Sequence, residues 1–457
     1  MPDFTSLRER YPRFIYDSYQ TIIRDDCIEA EFLFQTEGLS RFEVHWTFPV
    51  RQRAVELKNN ATFEQLVFCL GMVELISYWK PTCSPEVVIK AGYLSPQQID
   101  WWKKLYYQGL GEFFYTNNIK TDLNSFMNIS AKGSKAKGYF RTLPEPKGTL
   151  IPIGGGKDSA VTLELLKETK SRNLCYIINP RQASLETCRV GGYSDRTLVA
   201  HRTLDERMLE LNRQGFLNGH TPFSAIVAFS SVITAYINNL RYVALSNESS
   251  ANEATVKNSD INHQYSKSFE FEVDFNSYEK SYINSGVYYF SLLRPLNELQ
   301  IASVFSRLDK YHGIFKSCNA GSKADIWCCH CPKCLFVYII LSPFLEQGRL
   351  REIFGANLLD DEGLTGIFDK LIGVEEEKPF ECVGSRQEIN AALCMSIDKI
   401  AGSGNPLPRL LRYYKTLGYY ESCKDEAEWH LRFFDEENLL PDSFRKVIEK
   451  ECLPEAF

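Results

Sequence analysis

Residues 154–159 constrain the fold of this chain more than any other segment. They read Gly-Gly-Gly-Lys-Asp-Ser and lie between an apolar run at residues 150–153 and a stretch with helical spacing that begins near Ser159. Residues without Cβ let the backbone turn sharply against an anion, and a following helix points its positive end at the same place. The segment therefore predicts a strand, a phosphate-binding turn and a helix. The candidate ligand-binding residues are Gly154, Gly155, Gly156, Lys157, Asp158 and Ser159.

Two common phosphate-binding motifs fail at this segment. A Walker A loop needs Gly, four residues and then Gly-Lys-Ser/Thr, but position 151 is Ile and Lys157 is followed by Asp158. The dinucleotide fingerprint needs a third glycine where Ser159 stands, and no suitably placed acid follows for a ribose. The remaining alternative without a ligand is an ordinary glycine turn between a strand and a helix.

The segment resembles the PP-loop of the ATP pyrophosphatases, a Ser-Gly-Gly-x-Asp-Ser pattern, with Gly154 in place of the first Ser. The resemblance implies an enzyme that splits ATP into AMP and pyrophosphate to activate a substrate as its adenylate. It implies that the loop amides and Ser159 hold the β and γ phosphates, which leaves the α phosphorus open to a nucleophile. Asp158 would help to place magnesium, which bridges phosphate oxygens and offsets their charge.

The pattern of the whole chain predicts an α/β protein with three regions. Residues 1–147 predict an α+β N-terminal domain, residues 148–345 a PP-loop ATP-binding domain with a parallel sheet, and residues 346–457 a helical C-terminal region. The N-terminal elements predicted are an antiparallel meander over 14–50 and helices over 62–79, capped by Thr62, and 95–111. The core elements predicted are strands over 150–153, 174–178 and 242–245 and helices over 159–170 and 222–239.

Composition excludes several classes of protein and favours a cytoplasmic one. The N-terminus lacks the apolar run of a secretory signal, and the best candidate for a membrane span, residues 225–237, is too short. The fourteen cysteines are then expected to be reduced thiols. A net charge of -6 counts against nucleic acid as a partner, and the basic segment 132–147 fits a solvated linker. The sequence does not indicate an oligomeric state.

Four cysteines fall at a spacing typical of a structural zinc site. Cys318, Cys328, Cys331 and Cys334 follow the pattern C-x9-C-x2-C-x2-C, and the two-residue gaps let thiolates converge on one tetrahedral ion. Four thiolate ligands leave no open position for catalysis. Cys329 and His330 leave the choice of ligands partly open, and reduced core cysteines remain an alternative. With residues 294–298, the cluster resembles the 7-cyano-7-deazaguanine synthases over about residues 150–343.

Three further stretches differ from those synthases. They are residues 218–222 (Asn-Gly-His-Thr-Pro), 244–248 (Ala-Leu-Ser-Asn-Glu) with 249–253, and 379–384 (Pro-Phe-Glu-Cys-Val-Gly). With the flanking regions they resemble the UDP-N-acetylmuramoyl-L-alanyl-L-glutamate epimerase family of peptidoglycan synthesis. That resemblance implies an ATP-dependent isomerase that adenylates the terminal L-glutamate of a nucleotide-linked muramoyl dipeptide and inverts its α carbon.

Candidate site residues outside the glycine loop have structural alternatives. His220, before a predicted helix start, and the thiol of Cys382 are candidate bases. A buried or surface histidine is an equal alternative for His220, and a core cysteine is the more common role for a residue such as Cys382. Asn247 and Glu248 follow a predicted strand, where they either bind the nucleotide or end the strand in a turn. The other charged candidates, for magnesium, a diphosphate or carboxylates, are Glu253, Arg181, Arg189, Arg294 and Arg386.

Two other functions remain open from the sequence. The first is another adenylating PP-loop enzyme that thiolates, amidates or forms a nitrile on a nucleobase or a tRNA, although the acidic charge counts against tRNA. The second is a nucleotide-sensing or zinc-scaffold protein, for which Gly154 in place of serine is the support.

Overall fold

One ten-stranded sheet runs through the protein. The structure is a computed structural model and describes residues 3–51, 56–143, 145–252, 265–424 and 426–453, so that Glu253 lies outside the described residues. In spatial order the strands are β10-β9-β6-β7-β8-β3-β2-β1-β4-β5. Their bounds are β1 Arg13–Ile23, β2 Cys27–Thr36, β3 Ser40–Pro49, β4 Glu86–Ile89, β5 Asn128–Ala131, β6 Thr149–Pro152, β7 Asn173–Ile178, β8 Thr197–Arg202, β9 Tyr242–Leu245 and β10 Tyr288–Ser291.

Eighteen α-helices surround this sheet in the described part of the chain. Their bounds are α1 Phe4–Arg10, α2 Ala61–Trp79, α3 Pro96–Gly109, α4 Gly111–Thr116, α5 Lys157–Leu165, α6 Gln182–Val190, α7 Glu206–Arg213, α8 Phe223–Ile237, α9 Phe269–Tyr278, α10 Glu298–Ser306, α11 Pro332–Leu341, α12 Gln347–Phe354, α13 Thr365–Ile372, α14 Arg386–Gly402, α15 Arg409–Thr416, α16 Tyr419–Cys423, α17 Ala427–Arg432 and α18 Asp442–Cys452.

The first three strands form the antiparallel meander that the sequence predicts. β1 pairs with β2 and β2 with β3, with Phe32 opposite Val44 in the second pair. Along β2 every second residue is fully buried, because one face of the meander packs on helix α2. The short strands β4 and β5 extend this end of the sheet in parallel.

The strands β6 to β10 are parallel to one another, with helices on both faces. Alternation along each strand divides the buried residues into two cores. Leu150 and Val243 belong to the core that contains α2 and α8, whereas their neighbours Ile151 and Ala244 belong to the core that contains α5 and α11. The predicted α/β class is confirmed.

The chain reverses its direction of travel across the sheet at β6. From β6 it proceeds to β7 and β8 on one side, and it then returns to place β9 and β10 on the other side. Loops that follow β6 and β9 therefore diverge and leave a crevice outside the carboxyl ends of these two strands. Ligands of open α/β sheets bind at such a position.

The sheet continues across the predicted boundary at residues 147 and 148. β3 pairs antiparallel with β8 through Trp46 opposite Arg202. The guanidinium of Arg202 donates two hydrogen bonds of 2.6 Å to the carboxylate of Glu74 on α2, and the Trp46 indole N–H donates to the same carboxylate at 2.8 Å. Glu74 is fully buried, and this bidentate pair ties the meander to the parallel strands.

Several predicted element ends differ from the structure. Asn60 caps α2 by accepting a hydrogen bond from Phe63 N at 3.0 Å, so the prediction of Thr62 as the cap was wrong. The Thr62 hydroxyl lies inside the first turn and accepts from Arg141 N at 2.9 Å. Helix α5 ends at Leu165 and continues as a 3-10 turn, Lys167–Arg172, instead of reaching Lys170 as an α-helix.

All described regular elements after residue 345 are helical, as the sequence predicts.

Among the described residues, one helix, Ala61–Trp79, has the length and apolar composition of a membrane span, and 89% of it is buried inside the protein. The predicted best candidate, in α8, is shorter.

Helix α2 packs so closely on the meander that Gly71 has no room for a side chain. A methyl group there would overlap the Tyr16 hydroxyl and the Phe32 ring. We expect Gly71→Ala to lower the free energy of unfolding by about 1–3 kcal/mol. Gly366→Ala is the matched control, because Gly366 lies in α13 with open space around it. It should raise the free energy of unfolding by about 0.5–1 kcal/mol. Urea unfolding of both variants measures this, and equal effects would contradict the packing.

Candidate functional site

A cleft of about 650 Å³ opens outside the carboxyl ends of β6, β7 and β9. Its walls come from segments that are far apart in the chain. They include the glycine loop, the residues after β7 and β9, the start of α8, and the loops around residues 316–333 and 381–382. The charged and polar side chains lining it include Asp158, Ser159, Asn179, Arg181, Asn247, Lys267, Lys316, Asp325, Lys333, Glu381 and Cys382.

The glycine loop lines this cleft, and it lies between a strand and a helix as the sequence predicts. β6 ends at Pro152, Gly156 caps α5 with extended backbone, and α5 begins at Lys157. Gly155 has a φ of +88°, and a Cβ there would overlap the backbone of Ala183 and Ser184. The amide of Gly154 donates to Ser159 Oγ at 3.1 Å, which fixes the hydroxyl at the start of the helix. An anion in the cleft would face the positive end of α5.

Lys157 is buried and acts as the centre of an ion-pair cluster. Its ammonium contacts the carboxylates of Asp158, on the same turn, and Glu298, at the start of α10. The Lys157 and Glu298 side chains are 1% and 2% exposed. Burial raises the pKa of Glu298 to about 7, with Lys157 as the main opposing influence. Burial also opposes ionisation of Asp158, but Lys157 and Lys333 hold its pKa below the usual value.

The two candidates after β9 have different surroundings. Asn247 lines the cleft, and its amide donates to Ser291 Oγ at 3.0 Å. Glu248 is buried, and burial raises the pKa of its carboxyl while Lys267 opposes the shift. The Glu248 carbonyl accepts a hydrogen bond of 2.6 Å from Arg294. The structure therefore brings Asn247 to the cleft and places Glu248 behind its wall.

Of the four candidate arginines, only Arg181 lines the cleft. Arg294 is fully buried and pairs with Glu272 at 3.2 Å, so it holds the wall together and is not exposed to a ligand. Arg189 pairs with Glu186 on the surface of α6, and Arg386 donates to two backbone carbonyls of residues 375 and 376. Burial of Arg294 contradicts its predicted availability for anionic groups, whereas Arg189 and Arg386 lie outside the cleft lining and their predicted pairing stays a prediction.

The lysines of the cleft are the residues that sequence reasoning missed. Lys267, Lys316 and Lys333 all line it. Lys267 Nζ lies 3.1 Å from the sulfur of Cys382, and Lys333 donates to the backbone carbonyl of Cys382. Burial opposes the charge of Lys267, but Cys382 and Glu248 together raise its pKa above the usual value. A lone lysine carries no motif, and only the position of Lys333 between two cysteines of the pattern could have identified one of the three from the sequence.

The structure places Cys382 in the cleft and His220 outside its lining. The imidazole Nδ1 of His220 lies 3.2 Å from a carboxylate oxygen of Glu112 on α4. The backbone carbonyls of Gly219 and His220 and the Thr221 hydroxyl accept hydrogen bonds from the buried Lys80. The predicted roles of His220 and Cys382 in proton transfer stay predictions.

The four predicted cysteines converge on one point. The sulfur atoms of Cys318, Cys328, Cys331 and Cys334 all lie within 4.8 Å of one another. The separations are 3.8 Å for Cys318–Cys331, 3.7 Å for Cys328–Cys334 and 3.5 Å for Cys331–Cys334. A zinc ion with Zn–S bonds of about 2.3 Å has an S–S edge of about 3.8 Å, so the thiols fit a tetrahedral metal.

Two neighbouring residues that the sequence left open as ligands lie outside the cluster. Cys329 donates its thiol to the Phe354 carbonyl at 3.1 Å, and His330 is exposed. The cluster also adjoins the cleft. Cys318 belongs to the cluster and also lines the cleft, and the cleft residues Lys316 and Lys333 lie within two residues of cluster cysteines in the sequence. A bound metal would therefore restrain the chain next to Lys316 and the first turn of α11, which carries Lys333.

Family models match both parts of the chain. The model described as the MurL N-terminal domain matches residues 5–292, and the model described as the MurL C-terminal domain matches residues 314–412. The chain belongs to the MurL family. No solved structure matches it.

Curated relatives carry a single enzyme name. Three proteins named UDP-N-acetyl-alpha-D-muramoyl-L-alanyl-L-glutamate epimerase are similar to this member of the family. The relative from Micromonospora sp. is 33% identical over 88% of this chain and 90% of its own length. The Salinispora tropica relative is 33% identical over 84% and 85%, and the Xanthomonas oryzae relative 34% identical over 74% and 75%. The family predicted from the sequence motifs is confirmed.

The buried Lys157 cluster predicts a pH-dependent stability defect. Lys157→Met leaves the buried carboxylate of Glu298 and the partly exposed carboxylate of Asp158 without their shared cation, so we expect a loss of about 3–5 kcal/mol of unfolding free energy near pH 8. The loss should shrink towards about pH 5, because buried unpaired carboxyls bind protons more tightly in the native state than in the unfolded state. Lys316→Met, in the same cleft but only half-buried, is the control and should change stability little. A pH-independent defect in Lys157→Met would contradict the cluster.

The cysteine cluster predicts a bound metal in the purified protein. Metal analysis should find about one zinc ion per chain, and Cys331→Ser should lose it together with several kcal/mol of stability, because a structural metal contributes its binding energy to folding. Cys329→Ser is the matched control, since its thiol bonds to a backbone carbonyl outside the cluster. Equal metal content in the two variants would refute the ligand set.

Proposed function

We propose that this chain is an ATP-dependent epimerase. It adenylates the terminal L-glutamate of UDP-N-acetylmuramoyl-L-alanyl-L-glutamate, inverts the α carbon to the D configuration, and releases AMP and pyrophosphate in peptidoglycan synthesis. The observation that carries the ATP step is the glycine loop, which faces a cleft at the point where the parallel strands reverse their order. The family and the names of the relatives support the substrate and the epimerisation.

The glycine loop is suited to hold a pyrophosphate group in the manner of a PP-loop. Its three glycines keep side chains away from the anion, and Ser159 and the start of α5 face the cleft. Gly154 has open space where the related loops carry serine, because a Cβ at this position would approach only Ser159 Oγ, at 3.9 Å. Asp158, whose depressed pKa keeps it anionic, would help to hold magnesium beside the phosphates.

The substrate must be activated because its α proton is weakly acidic. A free carboxylate resists loss of this proton, since the new negative charge would lie beside the existing one. Conversion to an acyl adenylate removes the carboxylate charge and allows an enolate-like state, which oriented donors can stabilise. Lys316 and Arg181 supply positive charge in the same cleft, suited to a carboxylate or diphosphate group. Hydrolysis of the adenylate then releases AMP.

The proposed function also includes a structural zinc ion and a cytoplasmic place of action. The cysteine cluster would bind zinc with a structural role, because four thiolates leave no coordination position for substrate. The enzyme would act in the cytoplasm on a small nucleotide-linked substrate, without nucleic acid or membrane as a partner. The chain's charge of -6 is consistent with the absence of a nucleic-acid partner.

Deuterium incorporation tests the complete reaction. With ATP, magnesium and the dipeptide nucleotide in deuterated water, deuterium should enter the α carbon of the terminal glutamate while AMP and pyrophosphate form. An ATP analogue that cannot be cleaved between the α and β phosphates should abolish the exchange, because the unactivated carboxylate keeps its α proton. AMP formed without deuterium in the dipeptide would eliminate epimerisation and leave an amidating or thiolating reaction.

Asp158→Asn should reduce AMP formation by at least about a hundredfold, because the variant lacks the anionic charge proposed to place magnesium. Asp442→Asn is the matched control. Asp442 occupies the first turn of α18, as Asp158 does in α5, but it does not line the cleft. Detection of the released pyrophosphate measures both rates, with circular dichroism as the check on folding. Wild-type turnover in Asp158→Asn would overturn the loop assignment.

A further inference from the structure

An ammonium and a thiol from distant parts of the chain, those of Lys267 and Cys382, are in contact in the cleft. Lys267 ends the 3-10 turn Tyr265–Lys267, and Cys382 lies in the loop before α14, 115 residues further along. The distance from Lys267 Nζ to Cys382 Sγ is 3.1 Å. Both residues line the same cleft as the glycine loop, so the pair faces the region in which the activated substrate would lie.

The backbone on both sides of this contact is anchored. Arg294, fully buried, donates to the Lys267 carbonyl and to the Glu248 carbonyl. Lys333, between two cluster cysteines, donates to the Cys382 carbonyl. The backbones that carry the ammonium and the thiol are therefore each held by a side chain from another segment, which is the arrangement of a preorganised pair and not of two mobile surface side chains.

A lysine beside a cysteine favours the thiolate form of that cysteine. A thiolate is the reactive form of cysteine, and a neighbouring lysine lowers the pKa of the thiol by stabilising the anion. A thiolate is also a suitable general base for a carbon acid near neutral pH. Glu248, buried behind the wall, is a further neighbour of Lys267 and favours its charged form. Asp158 acts on Lys267 in the same direction, so the groups around Lys267 keep it cationic.

We propose that Lys267 holds Cys382 as a thiolate and that this thiolate removes the α proton of the activated glutamate. The inference rests on the proposed function, since it needs the adenylate to acidify the α carbon. In the step, the electron pair on sulfur takes the proton, and the C–H bonding electrons pass to the enolate of the acyl group. A proton from solvent returns to the opposite face of the carbon, and the Cys382 thiol releases its own proton to solvent. Protons balance, and no oxidant or reductant takes part.

Lys267 is a positioning residue in this scheme, and Cys382 is the catalytic base. The scheme predicts that the two half-reactions separate. Exchange of labelled pyrophosphate into ATP reports formation of the adenylate, and conversion between the L and D dipeptide nucleotides reports proton transfer. Cys382→Ala should lower the conversion by about a thousandfold. It should lower pyrophosphate exchange far less, within about tenfold, because the thiol takes no part in breaking the α–β phosphate bond.

The ion pair itself has a readout that does not depend on turnover. Alkylation of Cys382 by iodoacetamide, followed on its peptide by mass spectrometry, should show a midpoint below about pH 8.5, the usual thiol value. Lys267→Met should move that midpoint upward by about one unit or more and slow alkylation near pH 7 about tenfold. Lys267→Arg keeps a cation and should restore most of the profile. Cys27→Ala is the control. It removes a thiol at the start of β2, outside the cleft, and should leave the alkylation profile of Cys382 unchanged.

The outcomes distinguish this inference from the function on which it rests. Conversion in Cys382→Ala within about threefold of wild type would overturn the base, and an unchanged alkylation profile in Lys267→Met would overturn the pair; both results leave the ATP chemistry intact. Absence of pyrophosphate exchange in the wild-type protein with its dipeptide nucleotide would instead overturn the adenylation. Loss of exchange and conversion together in Cys382→Ala, with an intact fold, would assign Cys382 to substrate binding and also contradict the inference.

Discussion

The buried ammonium of Lys157 is the contact on which the architecture of the cleft depends. It joins the first turn of α5 to Glu298 at the start of α10, 141 residues along the chain. It offsets the charge of Asp158 at the edge of the cleft and of Glu298, whose buried carboxylate would be costly to keep charged without a cation. Glu298 N donates in turn to Glu388, the third residue of α14, at 2.6 Å. An ion pair and a hydrogen bond therefore connect the glycine loop to α10 and to the helical C-terminal region, and the position of the loop depends on both.

The continuous sheet also connects the N-terminal strands to the cleft. The antiparallel meander does not form a separate layer, because β3 extends the parallel strands through β8. Arg202 stands at this junction, pairs with Glu74 on the meander side, and also lines the cleft. The N-terminal part of the chain thus supports one wall of the site indirectly, because the buried Glu74 holds the guanidinium of the cleft residue Arg202. This connection gives the large N-terminal region a structural role in the enzyme.

A metal in the cysteine cluster and the charges of the cleft are linked by the chain itself. Lys333 lies between Cys331 and Cys334, and Lys316 lies two residues before Cys318. Constraining four thiols to one tetrahedron restrains the backbone at and between the cysteines, which carries Lys333 and adjoins Lys316. The cluster can therefore influence the chemistry of the cleft while its own coordination is closed. Lys333 extends this influence to Cys382, whose carbonyl it holds.

The sequence by itself determined the local features of this protein: the glycine loop between a strand and a helix, the meander, the convergence of Cys318, Cys328, Cys331 and Cys334, and the family. Each follows from residues close together in the chain, where turn chemistry, the period of two and ligand spacing act directly. Tertiary structure alone decided that Lys267 meets Cys382, that Arg294 is buried in the wall, and that His220 lies beside Glu112 instead of lining the cleft. These contacts join segments tens to more than a hundred residues apart, and no local pattern encodes them. Their physical reason is packing: helices on the two faces of one sheet bring the ends of distant loops together, and burial then selects which charges must pair.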